Sequence, residues 1–163
     1  FRSAHPPLQT FLESLQMFRL ASSVRAISAQ QIRSFSAMPN RIHTENAPAA
    51  VGPYSQAIAA NGMIFVSGQL PLDPKTMKFV SDTDVALQTK QCLTNMKAIL
   101  ESAGSGMDKV CKTTILLHDI ADFPKVNAAY AEFFKTTLPA RATYAVKGLP
   151  MGALVEIEAV ALQ

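Results

Sequence analysis

The chain has no tryptophan, only two cysteines, and charged residues at just 17% of its 163 positions. It also contains no run of 18 apolar residues, so the sequence predicts no membrane-spanning helix. Two cysteines in a domain of this length do not make the scaffold of a small disulfide-rich secreted protein. Cys92 and Cys111 match no metal-binding spacing, and we predict two buried free thiols, with a disulfide as the weaker alternative.

Signatures of the common cofactor sites are missing as well. The sequence has no HExxH, no Walker loop and no GxGxxG. The three histidines, at positions 5, 43 and 118, form no cluster, and Cys111 is expected to face the core rather than act as a nucleophile. We therefore predict neither a metal nor a nucleotide cofactor.

The excess of positive charge, formally +3, comes from the first 35 residues. That segment holds four arginines (Arg2, Arg19, Arg25 and Arg33) and one acid (Glu13). Removing them from totals of 15 basic and 12 acidic residues leaves 11 of each in residues 36–163. A formally neutral body argues against nucleic acid as the main partner.

Residues 1–35 have the composition of a mitochondrial transit peptide. From Met17 onward the segment is rich in Arg and Ser, contains no acid and has a rough amphipathic pattern. We predict targeting to the mitochondrial matrix and a mature start near Ser36. A disordered tail is the alternative. Met17 is a candidate initiator, which would make residues 1–16 non-native, and Met38 is a candidate start for a shorter cytosolic form.

Strand signals recur along the body. Asn61-Gly62 between two apolar runs is a strong hairpin signal. In the third strand, alternation predicts that Cys111, Thr113 and alternate residues after them face the core. The predicted strands are Ser55–Ala60, Met63–Leu70, Val110–His118, Ala140–Val146 and Ala153–Leu162.

Two helices interrupt these strands. Apolar residues at three- and four-residue spacing predict the first over residues 83–103, with Asp82 or Thr83 as its cap. Asp122 is predicted to cap the second. Its expected buried stripe is Phe123, Val126, Tyr130, Phe133 and Phe134. The order β-β-α-β-α-β-β predicts an α+β fold, a mixed sheet with both helices on one face. The open face needs a cover, and we expect self-association to supply it.

Several residues break their local pattern. Arg141 is the only arginine after residue 41, and a guanidinium suits bidentate binding of a carboxylate; a structural salt bridge is an equal alternative. Thr143 is expected to share its face. Glu156 and Glu158 alternate with apolar residues, so both should point to the same face of their strand. Asn127 falls on the apolar stripe, where a buried amide must find partners.

Five segments together resemble the Rid family (reactive intermediate deaminases, also called YjgF), and within it the RidA branch. They agree with it in order, spacing and identity over about residues 45–162. The segments are NAPAAVGPYSQA (46–57), VSGQL (66–70), VNAAY (126–130), LPARAT (138–143) and VEIEA (155–159).

The resemblance implies a chorismate-mutase-like fold and a homotrimer with clefts between subunits. It also implies hydrolysis of enamines and imines released by pyridoxal-phosphate enzymes, namely 2-aminoacrylate, its tautomer 2-iminopropanoate, and 2-iminobutanoate. The products are ammonia and a 2-keto acid, and no cofactor is involved. Removal of these reactive compounds would protect pyridoxal-phosphate enzymes and mitochondrial metabolism.

The resemblance further assigns roles to individual residues. Arg141 would hold the substrate carboxylate, and Glu156 would lie near the imine nitrogen and the attacking water. The other implied substrate-binding residues are Tyr54, which would close the cleft, Ser67, Gly68, Asn127 and Thr143. Alternative functions are an RNA-acting translation inhibitor or endoribonuclease, because some family members have been described so, and a chaperone-like interaction protein.

Overall fold

The computed structural model describes residues 38–163, in which six strands and two α-helices follow one another. The predicted order is confirmed, and a short first strand is added that the sequence did not indicate. The strands are β1 (Asn40–Ile42), β2 (Ala57–Ala60), β3 (Met63–Gln69), β4 (Val110–Leu117), β5 (Ala140–Ala145) and β6 (Val155–Leu162). The helices are α1 (Val85–Ser102) and α2 (Phe123–Ala131).

All six strands form one mixed sheet in the order β1-β2-β3-β6-β4-β5. β4 and β5 pair in parallel, and every other neighbouring pair is antiparallel. Asn61 and Gly62, with φ of 52° and 73°, form the turn between β2 and β3, as their left-handed preference predicts. The last strand in sequence therefore lies at the centre of the sheet, between β3 and β4.

Both helices pack on one face of this sheet and against each other. The side chains of α1 that face the sheet are fully buried, including Leu93, Met96 and Ile99. They meet Val155 and Ile157 of β6, which are also 0% exposed. Burial of each such side chain contributes roughly 1.5–3 kcal/mol to folding. Cys92 lies in this core as a free thiol, as predicted.

The helix starts differ from the predicted ones. Asp84, rather than Asp82 or Thr83, caps α1, because a turn fixed by the Ser81 hydroxyl brings the Asp84 carboxylate to the N–H groups of residues 86 and 87, at 2.8 and 3.1 Å. Asp122 does precede α2, but its carboxylate makes no capping hydrogen bond. It pairs instead with Lys125 at 3.4 Å.

The prediction that Cys111 is buried is wrong. The pairing of β4 with β6 shifts register between Val110 and Lys112, and this bulge turns Cys111 outward. From Thr113 onward the predicted core-facing residues Thr113, Ile115 and Leu117 are buried, but Thr114, predicted on the other face, is buried too.

The predicted stripe of α2 is confirmed for Val126 and Tyr130, which are buried. It is wrong for Phe123, which is 38% exposed at the start of the helix. The helix ends at Ala131, so the partly buried Phe133 and the buried Phe134 lie beyond it.

The second face of the sheet carries exposed apolar side chains. Phe65 of β3, Tyr144 of β5 and Leu162 of β6 are 47%, 50% and 50% exposed. These residues lie on the face that neither helix covers. No helix among residues 38–163 combines the length and hydropathy needed to cross a bilayer. The predicted leader, residues 1–35, and the predicted mature start at Ser36 lie outside the described residues.

Candidate functional site

Arg141 lies near the start of β5, and its guanidinium reaches toward α2. Nη2 donates a hydrogen bond of 2.8 Å to Oδ1 of Asn127. The guanidinium carbon lies 4.7 Å from the ring centre of Tyr130 and 5.7 Å from that of Phe123. Both distances are within the range of cation–π attraction. A groove of about 390 Å³ borders this guanidinium, lined also by Ala131, Phe134, Leu138 and Pro139.

The alternative that Arg141 forms a structural salt bridge is not supported by the described residues. Ion pairs in the described part of the chain join Lys90 to Glu132, Lys97 to Glu101 and Lys125 to Asp122, and none of them includes Arg141. Asn127 offers a neutral oxygen, so the positive charge of Arg141 has no carboxylate against it within residues 38–163. The guanidinium keeps donors available for an anion.

Asn127 is exposed, contrary to the prediction that it lies in the buried stripe. Helix pitch places it at the margin of the stripe, next to β5, where it meets Arg141. Thr143, two residues beyond Arg141, has a buried hydroxyl oxygen with no hydrogen-bond partner. An unpaired buried hydroxyl is costly, so this oxygen is suited to a ligand or a water. We call Arg141, Asn127 and Thr143 the arginine group.

Glu156 lies on β6 with its carboxylate directly over Gly68 of β3. A Cβ on residue 68 would be 1.8 Å from Oε1 and 2.8 Å from Cδ of Glu156, so only glycine leaves room for this placement. Burial raises the pKa of Glu156 above its ordinary value, and the negative charge of Glu158 raises it further. A carboxyl group with a raised pKa is suited to exchange protons closer to neutral pH.

Ser67 directly precedes Gly68 in β3, and Tyr54 lies across a pocket from Gly68. Tyr54 and Gly68 line one pocket, in which the Tyr54 hydroxyl accepts a hydrogen bond of 3.2 Å from the N–H of Val51. The Ser67 hydroxyl donates to the carbonyl of Ser55 at 2.7 Å. We call Glu156, Gly68, Ser67 and Tyr54 the glutamate group.

Arg141 of the arginine group and Glu156 of the glutamate group lie on opposite faces of the sheet. Arg141 pairs with Thr113, whose hydroxyl meets Tyr130 on the helix side. Glu156 pairs with Leu116 and alternates with Val155 and Ile157, which face the helices. Its side chain therefore points away from the helices. A single copy of the chain does not bring Arg141 and Glu156 together.

Sequence reasoning missed the aromatic support of Arg141. Tyr130 was predicted as a core residue, and it is 6% exposed, yet one face of its ring lies under the guanidinium. Its position three residues after Asn127 is a signal that could have indicated this, because residues three apart share a helix face. Across residues 38–163, no three His, Cys, Asp or Glu side chains are grouped to hold a metal ion.

Comparisons with known proteins identify the family. Residues 44–163 match the family model described as Endoribonuclease L-PSP. A human 2-iminobutanoate/2-iminopropanoate deaminase is 50% identical over 122 residues, covering 75% of this chain and 88% of the relative. The chloroplastic Reactive Intermediate Deaminase A of Arabidopsis thaliana is 46% identical over 147 residues, covering 90% and 78%.

A solved structure agrees with the fold. The crystal structure of E. coli TdcF with bound serine has a TM-score of 0.72 and 36% identity, covering 76% of this chain and 98% of that one. The family match spans most of the chain, and the resemblance first indicated by the motifs is confirmed. This chain belongs to the Endoribonuclease L-PSP family, within which its relatives include reactive intermediate deaminases.

Proposed function

We propose that this protein hydrolyses small 2-imino acids and their enamine tautomers to 2-keto acids and ammonia. The observation that carries the proposal is the guanidinium of Arg141, which has a groove beside it and no carboxylate partner among the described residues. The relatives named as imine deaminases support the same substrates, 2-iminobutanoate and 2-iminopropanoate. The serine bound to TdcF is likewise a small molecule with a carboxylate.

Arg141 binds the substrate carboxylate through its planar pair of donors and so fixes the adjacent C=N bond. The unpaired Thr143 hydroxyl, on the same face of β5, offers a hydrogen bond to the substrate or to a water. These contacts position the substrate. The chemistry that remains is addition of water and loss of ammonia, which needs a group that accepts and donates a proton.

Glu156 supplies that group. Its carboxylate accepts a proton from water as the water oxygen adds to the carbon of the imine, which is protonated at nitrogen, and the product is a tetrahedral carbon with a hydroxyl and an amino group. The carboxyl group then returns this proton to the amino nitrogen. The C–N bond breaks and ammonia leaves, while the hydroxyl gives its proton back to the Glu156 carboxylate and becomes the keto oxygen. The raised pKa of Glu156 makes this exchange easier near neutral pH than it would be for an exposed glutamate.

The site requires two copies of the chain. Because Arg141 and Glu156 lie on opposite faces, Glu156 of one subunit completes the site of Arg141 in another. The exposed Phe65, Tyr144 and Leu162 on the open face of the sheet favour such an assembly. A head-to-tail interface that closes into a ring fits this arrangement, and we propose a homotrimer with one site in each of three clefts.

The experiment is loss of 2-iminobutanoate, generated in situ by threonine dehydratase, with the wild-type chain and with Arg141→Ala. We expect Arg141→Ala to abolish acceleration while the protein stays folded and assembled. Arg141→Lys should also be severely impaired, since a lysine keeps the charge but loses the paired donors. Full activity of Arg141→Ala would refute the role assigned to Arg141, and absence of hydrolysis by the wild-type chain would favour an interaction function instead.

Residues 1–35 are proposed to direct the protein to the mitochondrial matrix, on the strength of their Arg- and Ser-rich, acid-poor composition. A fluorescent protein carrying residues 1–35 should enter mitochondria. The same fusion with Arg19, Arg25 and Arg33 changed to glutamine should stay in the cytosol. Equal distribution of the two fusions would contradict the proposal.

A further inference from the structure

The guanidinium of Arg141 rests on an aromatic ring that is itself held in place. The ring centre of Tyr130 is 4.7 Å from the guanidinium carbon. The Tyr130 ring lies against the guanidinium, and Asn127 accepts a hydrogen bond from one of its nitrogens. The remaining N–H groups at the edge of the guanidinium are available to a carboxylate. The direction in which those donors point therefore depends on where the Tyr130 ring lies.

Two contacts fix the Tyr130 ring. Its hydroxyl and the hydroxyl of Thr113 are hydrogen-bonded at 2.8 Å, in a buried position. On the ring itself, Phe134 stacks with centres 4.5 Å apart and planes inclined by 28°. Burial raises the pKa of Tyr130, against the opposing effects of the Thr113 hydrogen bond and the Arg141 charge, so the hydroxyl stays protonated at neutral pH.

Thr113 is placed to connect this ring with the strand that carries the arginine. In the parallel pairing of β4 and β5, Thr113 is the direct partner of Arg141. Thr113 is 0% exposed and Tyr130 is 6% exposed. A single hydrogen bond thus ties the ring under the guanidinium to the backbone beside the same arginine.

The side chains of Thr113 and Tyr130 could pack in the core without the hydrogen bond between their hydroxyls. Valine is nearly the same shape as threonine, and phenylalanine differs from tyrosine only by the hydroxyl. Replacing both partners of a buried hydrogen bond by apolar groups of the same shape is often close to neutral for stability, whereas removing one partner is costly. A pair of hydroxyls that bond each other in the core is therefore better explained by the direction that it gives to the ring.

We propose that Thr113 and Tyr130 are positioning residues that orient the Arg141 guanidinium for the substrate carboxylate. The inference rests on the proposed function. It assigns a role in substrate binding to two residues that act through Arg141.

The test uses Thr113→Val, Tyr130→Phe and the double variant in the full chain, with unfolding and 2-iminobutanoate kinetics measured together. Each single variant leaves one buried hydroxyl unpaired, so each should lower the melting temperature. In the double variant the stability should return, but KM should stay raised about five-fold while kcat stays within about two-fold of wild type. A double variant that regains both stability and KM would show a purely structural pair and overturn the inference.

Thr113→Ser covers the case in which the double variant fails to fold. It keeps the hydroxyl and removes a methyl group, so it should lose stability yet retain the wild-type KM, in contrast to Thr113→Val. A raised KM in Thr113→Ser would overturn the positioning role. Arg141→Ala separates the two proposals. If the wild-type chain does not hydrolyse 2-iminobutanoate, the proposed function fails; if Arg141→Ala is fully active, the role of Arg141 fails and this inference with it; if Arg141→Ala is inactive while the double variant has a normal KM, only this inference fails.

Discussion

Glu156 lies so close over Gly68 that a β-carbon on residue 68 would be 1.8 Å from its Oε1 atom. The backbone of Gly68 is not in the left-handed region, so its φ does not demand glycine. Glycine is needed at position 68 because the Glu156 carboxylate occupies the space that a Cβ would fill. The smallest residue in β3 thus determines where the acid of β6 can lie.

Gly68→Ala should therefore reduce activity far more than stability. The atoms that a methyl group would meet are the far end of the Glu156 side chain, which can rotate away without moving the backbone. We expect a change in unfolding free energy within about 1 kcal/mol. Displacement of the carboxylate should lower kcat for 2-iminobutanoate by about ten-fold or more.

Gly148→Ala is the matched control, because a Cβ there has no heavy atom within 4 Å and its φ is also outside the left-handed region. Its kinetics and melting temperature should both stay near wild type. If Gly68→Ala and Gly148→Ala had equal activity, the position of Glu156 over Gly68 would have no part in catalysis.

The pH dependence should reveal the influence of Glu158 on Glu156. The proposed mechanism needs Glu156 as a carboxylate, so activity is lost as pH falls through its raised pKa. Glu158→Gln removes the nearby negative charge, which lowers the pKa of Glu156 and should extend activity to lower pH. The acid limb of kcat measures this shift. Glu132→Gln, which alters an exposed acid paired with Lys90, should leave that limb unmoved.

Asn127→Asp should weaken substrate binding without removing any side chain. The new carboxylate would keep the 2.8 Å contact with Arg141 and convert it into an ion pair that competes for the guanidinium. We expect KM for 2-iminobutanoate to rise by about ten-fold, with a change in stability below about 1 kcal/mol because the pair is exposed. Asn40→Asp makes the same chemical change on the exposed edge strand β1 and should be neutral. An unchanged KM in Asn127→Asp would argue that Arg141 does not bind the carboxylate.

Local patterns predicted much of the fold. The turn at Asn61-Gly62, the stripe of α1 and the alternation around Glu156 each depend on neighbours within one or two turns of chain, and all three are present. β1 has only three residues, too few to show an alternation. The outward turn of Cys111 depends on a bulge against β6, some 50 residues later in the sequence, so no local pattern contains it.

The candidate site was predicted residue by residue but not as an arrangement. The motifs indicated Arg141 and Glu156, and strand alternation gave each a face within its own strand. Whether those two faces coincide depends on the pairing of both strands with β4, which is a long-range property. The aromatic support of Arg141 was missed for a related reason, since a buried stripe does not indicate which ring has a face in contact with a charged neighbour.

The separation of Arg141 and Glu156 makes a sharp prediction about assembly. Arg141→Ala chains lack the guanidinium proposed to bind the carboxylate but carry an intact Glu156. Glu156→Gln chains keep Arg141 but lack the Glu156 carboxylate. If each site takes its arginine from one subunit and its glutamate from the next, mixed oligomers contain some sites with both wild-type residues. If each site belonged to one chain, no mixture would contain any.

Each variant alone should be inactive. Co-expression of equal amounts should restore about a quarter of wild-type activity in the unfractionated population and about a third in mixed trimers purified through both tags, because each mixed head-to-tail trimer has one complete site out of three. The measurement is 2-iminobutanoate hydrolysis by oligomers purified through different tags on the two variants. A chain carrying both substitutions, co-expressed with either single variant, is the control and should restore nothing with that partner, because no interface then holds both wild-type residues. Absence of activity in the properly mixed oligomers would mean that Arg141 and Glu156 do not share a site across subunits.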